Sequence, residues 1–236
     1  MLHKLLNLLF PPQCLNCDAR VPTHGTLCQP CWQQIQFISD PMCDCCGLPF
    51  DYDIGSNALC ANCMQTRPLY THARAAFRYD EYSRRLVTRL KYSDQTQLAN
   101  IYGAWLAKAG ADLIAGSDII IPVPLHYFRF VQRRFNQSAL LAQAVSKKTK
   151  VKNISNGLKR IRHTTPQTGL TKTQRKDNVK GAFVVNPRYA ASIKGKNILL
   201  IDDVLTTGST IEQCTKTLLK AGAMQVNVLT LARALK

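Results

Sequence analysis

From His72 onward the apolar residues fall into short runs divided by segments of helical period. His72 to Tyr79 alternates as a strand, and Glu81 to Tyr92 carries Tyr82, Leu86, Val87 and Leu90 at helical spacing. Leu98 to Ile114 reads as a longer amphipathic helix. Asp118 to Val123 is an apolar strand ended by Pro122 and Pro124, because proline cannot serve a central ladder. Gln137 to Val145 is helical, and Ala182 to Val185 and Val226 to Leu231 read as strands. Ile198, Leu199, Leu200 and Ile201 form an unbroken apolar run between polar residues, as expected of a strand buried on both faces. Beyond it, Ile211, Cys214, Thr215, Leu218 and Leu219 share one face of a helix that Gly222 stops. This alternation predicts an α/β fold, a mostly parallel sheet with flanking helices.

Before Pro68 the pattern is different: few large apolar side chains, and nine of the ten cysteines. Cys14 and Cys17, Cys28 and Cys31, Cys43 and Cys46, and Cys60 and Cys63 are four CxxC pairs separated by ten, eleven and thirteen residues. Each pair is a knuckle offering two thiolates to one tetrahedral ion, so four knuckles predict two structural zinc sites of four cysteines each. Sequential pairing is the expectation, with interleaved pairing as the alternative that the spacing also allows. All four positions of each ion are then sulfur, which leaves no place for a catalytic water. A disulfide framework needs an oxidising compartment, and no export signal accompanies these cysteines. Cys45 is a bystander thiol, and Trp32 and Phe37 are expected to supply the small core of this region. The chain thus divides into 1–68 and 69–236, with Pro68 at the linker.

The residues that carry chemistry lie at Ile198 to Thr210, ILLIDDVLTTGST. Strand, polar turn, helix is an order that suits phosphate, since the free N–H groups of a helix start point at an anion and the dipole favours it. Gly208 lets the backbone approach a ligand, and Thr206, Thr207, Ser209 and Thr210 add hydroxyl donors. Asp202 and Asp203 would repel a phosphate, so they call for sugar hydroxyls or a magnesium ion held jointly with them. The competing phosphate patterns GxGxxG and GxxxxGK[ST] do not occur.

Charge adds a second half to this site. Lysine and arginine number 31 against 14 acids, a formal net charge of +17. Between Lys147 and Lys196 there are fourteen basic residues and one acid, Asp177, a field that attracts polyphosphate or nucleic acid. Only Arg20 and Arg67 are basic between Leu5 and Tyr70, so the cysteine-rich part is a poor phosphate surface. Arg129, Arg133 and Arg134 follow a strand's carboxyl end, where ligands of open α/β sheets bind, and three guanidiniums there suit a pyrophosphate. No apolar run reaches membrane-spanning length, and the chain reads as cytoplasmic.

The stretch IDDVLTTGST resembles the phosphoribosyl pyrophosphate signature of type I phosphoribosyltransferases. Four CxxC pairs, the PVPL segment at Pro122, RRFNQS at Arg133 and DDVLTTGST, in that order, resemble the ComF family of competence-associated proteins. The resemblance implies a double zinc ribbon before a type I phosphoribosyltransferase-like domain that binds phosphoribosyl pyrophosphate with Mg2+. It makes Asp202 and Asp203 the catalytic acids at the ribose. Thr206, Thr207, Gly208, Ser209 and Thr210 then hold the 5-phosphate, and Arg129, Arg133, Arg162 and Arg175 the pyrophosphate. The basic stretch from 159 to 176 corresponds to a loop that closes over pyrophosphate. Arg134 stands where the family usually has glycine. Single-stranded DNA and a DNA-uptake helicase or other competence proteins are the partners the resemblance implies. It leaves three readings: a transferase, a DNA-binding protein that kept the fold, and an adaptor of the uptake machinery.

Overall fold

The apolar run at 198–201 becomes the centre of a five-stranded, all-parallel sheet in the computed structural model, which describes residues 10–92, 96–125, 135–162, 174 and 178–235. In chain order the strands are β1 (Ala73–Arg78), β2 (Ile119–Pro122), β3 (Lys152–Asn153), β4 (Leu158–Arg160), β5 (Phe183–Val185), β6 (Asn197–Leu205) and β7 (Gln225–Arg233). The sheet order is β1-β7-β6-β2-β3, while β4 and β5 form a separate antiparallel pair. The helices are α1 (Gln29–Gln34), α2 (Ala61–Gln65), α3 (Arg84–Tyr92), α4 (Thr96–Ala109), α5 (Ala111–Ala115), α6 (Gln137–Thr149), α7 (Ala190–Ile193) and α8 (Ser209–Lys220).

Side chains alternate across a strand, so an unbroken apolar run feeds two cores. Ile198 and Leu200 pack with α8, the β4–β5 pair and the cysteines from Cys43 to Cys63. Leu199 and Ile201 pack on the other face with α3, α4 and α6. From β2 the chain passes through α6 to β3 on one side, whereas from β6 it passes through α8 to β7 on the other. The connections therefore diverge between β2 and β6, which opens a crevice at their carboxyl ends. Pro122 is tolerated in a central strand because β3 pairs only with Ile119 and Ile120 and stops short of it.

Several expectations change in detail. The helix expected over Leu98 to Ile114 is broken at Gly110, which leaves the helical region at φ −114°, ψ 25° and has Leu229 where a Cβ would stand, at 2.7 Å. The strand expected at Ala182 to Val185 joins β4 rather than the parallel sheet. Trp32 and Phe37 are not the core of the cysteine-rich part: Trp32 is 57% exposed and Phe37 36%. Phe37 instead stacks edge-on against Phe77 and Trp105, and Trp32 lies 5.0 Å from it. The first cluster's interior is made by Cys14, Val21 and Cys31.

That displacement has a use. Strand β1 would be an open edge, and the segment around Phe37 covers it through N–H bonds from Ile38 to Ala76 and from Arg78 to Gln36. No described helix is long and apolar enough to cross a membrane.

Helices α4 and α6 meet at Gly103, where a Cβ would lie 2.6 Å from that of Ala144. Replacing Gly103→Val is expected to cost about 1–3 kcal/mol through overpacking. Urea unfolding reads this as a lower midpoint, and an unchanged midpoint would show that the two helices are not locked there.

Candidate functional site

The crevice between β2 and β6 is lined by the residues of the 198–210 stretch and by the start of α6. Strand β6 runs past the apolar residues to Leu205, so Asp202 and Asp203 lie in its last turns of pleat rather than after it. Asp202 is half-buried and Asp203 is buried. Thr206 and Thr207 then turn the chain, Gly208 takes a left-handed conformation (φ +76°) at the N-cap position, and α8 begins at Ser209. A residue with a Cβ is strained at that φ, which accounts for glycine here. The hydroxyls of Thr207 and Ser209 lie 3.2 Å apart, and Glu212 N–H donates to the Gly208 carbonyl at 2.8 Å. The Glu212 carboxylate accepts from Leu69 N–H, which ties the first turn of α8 to the start of the second half of the chain.

Both acids are held from α6. Gln137 Nε2 donates to Asp203 Oδ2 at 3.1 Å, and Ser138 Oγ donates to Asp202 Oδ1 at 2.9 Å. Backbone N–H groups complete the set, Asp203 N to Asp202 Oδ1 and Val204 N to Asp203 Oδ1. Asn136 caps α6 by accepting from Ser138 N–H and donates its amide to the Val123 carbonyl, while Val123 N–H reaches Ile201. Sequence reading found the FNQS segment but gave Asn136, Gln137 and Ser138 no role. The cap was legible from Asn before an apolar-periodic run, whereas polar residues in a first turn read as solvated.

The four arginines expected at the pyrophosphate half divide. Arg129, Arg133 and Arg175 lie outside the described residues, as do Arg134 and His163. Arg162 is exposed just after β4 and gives one guanidinium N–H to the Lys180 carbonyl at 2.6 Å. Cys214, beneath the acids, is an inert thiol: burial raises its pKa well above the ordinary value, Asp202 adds to this, and Arg160 opposes it.

The CxxC knuckles pair sequentially. The sulfurs of Cys14, Cys17, Cys28 and Cys31 lie within 4.8 Å of one another, as do those of Cys43, Cys46, Cys60 and Cys63. Separations of 3.5 Å (Cys17–Cys28) and 3.6 Å (Cys46–Cys60) approach the edge of a ZnS4 tetrahedron, about 3.8 Å for Zn–S bonds of about 2.3 Å. Within each cluster one thiol is prepared for ionisation. Burial works against Cys14, but backbone N–H groups of Cys17, Cys28 and Asn16 bring its pKa down to about 6. Cys43 is lowered to about 7 in the same way, against burial, by Cys46 and Cys60. Burial pushes Cys31 up to about 12 and Cys46 up to about 11, the latter despite the Arg233 guanidinium beside it. Four crowded sulfurs of this kind need a cation, and the donor set fits zinc. Cys45 stands outside both clusters, buried in the main core.

The clusters are built into the molecule unequally. The second belongs to the larger core layer, and Arg233, at the end of β7, donates to the Cys46 carbonyl and to its sulfur. The first is fastened mainly by Arg85 and Arg89 to Asp18, by Arg89 to the carbonyls of Cys14 and Leu15, and by Asn16 to the Tyr82 carbonyl.

A family model described as a double zinc ribbon domain matches residues 5–66, and one described as a phosphoribosyl transferase domain matches residues 136–236. Competence protein F of Haemophilus influenzae is 32% identical over 232 residues, covering 95% of this chain and 98% of that protein. DNA utilization protein YhgH of Escherichia coli is 31% identical over 239 residues, covering 97% of this chain and 100% of that protein. Among solved structures, the allosteric regulatory enzyme of purine biosynthesis superposes with a TM-score of 0.42 at 18% identity, covering 61% of this chain and 30% of that one. A likeness at that level carries no functional argument. The two cysteine clusters are the four-cysteine zinc sites of a double zinc ribbon.

Two zinc ions per chain are expected from metal analysis, one fewer in either Cys17→Ser or Cys60→Ser. Because Cys60 lies in the main core and Cys17 is exposed, Cys60→Ser is expected to cost about 4 kcal/mol or more in urea unfolding and Cys17→Ser markedly less. Equal losses would contradict the unequal embedding of the two ribbons.

Proposed function

We propose that this chain, which belongs to the ComF family of competence-associated proteins, binds phosphoribosyl pyrophosphate with magnesium at the carboxyl ends of β2 and β6. Its role on this reading is in the cytoplasmic use of DNA taken up during natural transformation. The observation that carries the reading is the strand–turn–helix from Ile198 to Thr210. It sets an adjacent acid pair beside the start of a twelve-residue helix at the point where the sheet's connections diverge.

The parts divide the ligand between them. The first N–H groups of α8, with Thr206, Thr207, Ser209 and Thr210, receive the 5-phosphate, and the left-handed Gly208 lets the backbone come close. Asp202 and Asp203 accept from the ribose hydroxyls. Among the described residues the metal-ligating clusters are the two cysteine sets, so the acid pair is too small a donor set to cage an ion alone. That fits magnesium, which binds through one or two carboxylates together with ligand oxygens and supplies charge neutralisation at the pyrophosphate. Arg129, Arg133 and Arg175, which follow β2 and β4 in sequence, are proposed to reach the pyrophosphate, with Arg162 just after β4. In transfer, a nucleophile forms a bond to the anomeric carbon while the bond to pyrophosphate breaks and its electrons leave with pyrophosphate. The protein's part is orientation and charge stabilisation.

DNA is proposed to meet a different part of the surface. Lys150 and Lys152 precede or begin β3, Lys194 and Lys196 precede β6, and Lys147, Lys148 and Lys220 lie near the ends of α6 and α8. All are exposed and lie toward the amino ends of the parallel strands, opposite the acid pair.

Calorimetry with phosphoribosyl pyrophosphate and Mg2+ is expected to show magnesium-dependent binding that is lost when Asp202→Ala and Asp203→Ala are combined; absence of binding to the unaltered protein would remove the reading. Affinity for single-stranded DNA should fall linearly on logarithmic axes with salt, with a slope of about −0.7 per phosphate neutralised. A flat salt response would remove the lysine surface from the account.

A further inference from the structure

Two carboxylates next to each other along β6 repel, and the burial of Asp203 adds a desolvation cost that donors must offset. Backbone N–H groups of Asp203 and Val204 supply two of those donors, and two more come from the side chains of α6. Gln137 and Ser138, consecutive residues of its first turn, each give one side-chain hydrogen bond to one acid. Both donors are themselves buried, Gln137 at 4% exposure and Ser138 at 1%. They also stand at the positive end of a thirteen-residue helix, which favours negative charge. Asn136 keeps this turn in place by linking it to Val123, beyond the end of β2. The other end of the Gln137 amide, Oε1, is buried with no partner among the described residues, so the bond to Asp203 is what orients the amide there.

We propose that Gln137 and Ser138 are positioning residues for the acid pair, Gln137 for Asp203 and Ser138 for Asp202, and so set the grip on the sugar rather than on its phosphates. This rests on the reading of the crevice as a sugar-phosphate site. Each donor engages one carboxylate oxygen and takes up one of the roughly four lone-pair sites a carboxylate has, and the proposal assigns a ligand hydroxyl or a ligand-borne cation to the acids beside it. Removing a donor leaves the fold its apolar packing and the backbone bonds to the acids, but takes away the bond that fixes the carboxylate from the α6 side, so the loss falls on the part of the ligand the acids touch.

The test uses the zinc-loaded full chain with Gln137→Met, which keeps the side chain's length, Ser138→Ala, and Ser138→Thr, which keeps the hydroxyl. Carbon-13 spectra of the aspartate carboxyl groups need no ligand. Gln137→Met is expected to move the Asp203 resonance and Ser138→Ala that of Asp202, with Ser138→Thr close to the parent. If neither resonance moves, the proposal is overturned. Calorimetry then compares ribose 5-phosphate with inorganic pyrophosphate, both without Mg2+, so that no ion shared with the acids links them to pyrophosphate. Gln137→Met and Ser138→Ala should weaken ribose 5-phosphate by about tenfold or more, as for a lost bond to a charged group, and leave pyrophosphate unchanged. Ser138→Thr should restore the sugar affinity. Parallel loss of both ligands, or of neither, also overturns the proposal. Should the parent protein bind no ribose 5-phosphate, the sugar-phosphate reading falls, while the carboxyl resonances still decide whether these residues position the acids.

Discussion

Two hydrogen bonds, from Gln137 to Asp203 and from Ser138 to Asp202, join the two halves of the sheet at the place where they part. On one side β2 leads through α6 to β3, and on the other β6 leads through α8 to β7. Divergence creates the crevice, where backbone N–H groups of β6 and side chains from the start of α6 both donate to the acids. The start of α6 thus reaches across it. Its placement depends in turn on the close α4–α6 contact at Gly103 and on the Asn136 bond to Val123. The acid pair with its phosphate turn and the side chains that hold the acids are therefore products of different halves of the fold, brought to one point by the sheet.

The zinc ribbons answer a different constraint. A region with few large apolar side chains cannot bury enough surface to order itself, so sulfur and metal replace a core. The second ribbon goes further and becomes part of the layer that covers β6 and β7. Arg233 makes this connection specific: it pairs along β7 with Leu205, and its guanidinium grips Cys46. Ala234, the next residue, holds the Leu205 carbonyl just before the phosphate turn. The second metal site and the base of that turn share one strand end, which gives the ribbon a structural stake in the crevice even though its zinc has no open position for chemistry.

Much of this was legible in the residues because local patterns coincide with local structure. The run Ile198 to Ile201, the polar turn at Thr206 to Gly208 and the helical face from Ile211 to Leu218 describe a strand, a turn and a helix that form next to one another, with the strand carried past the apolar run to Leu205. The CxxC spacings mark the ligands of both clusters, while their sequential pairing is a matter of the fold. What escaped was set by contacts distant in sequence. Nothing near Gln137 announces that its partner lies sixty-six positions away. Trp32 and Phe37 looked like the core of a small domain, but the aromatic surface of Phe77 and Trp105 draws Phe37 outward and turns its segment into a cover for β1. Gly110 breaks a pattern that is helical throughout, because Leu229 from β7 fills the space beside it. The strand at 183–185 was recognised, but its antiparallel partner at 158–160 lies in a stretch whose charge hid it.

On the proposed reading one crevice holds a phosphorylated ribose by two helix starts, α8 at the phosphate directly and α6 at the sugar through the acids. A crystal structure of the zinc-loaded protein with phosphoribosyl pyrophosphate and magnesium is the decisive measurement. The 5-phosphate is expected on the amides of residues 206–210 and the ribose hydroxyls on Asp202 and Asp203, with Gln137 and Ser138 still bonded to the acids. A ligand seated elsewhere, or a ribose in the crevice that leaves both carboxylates untouched, would contradict it.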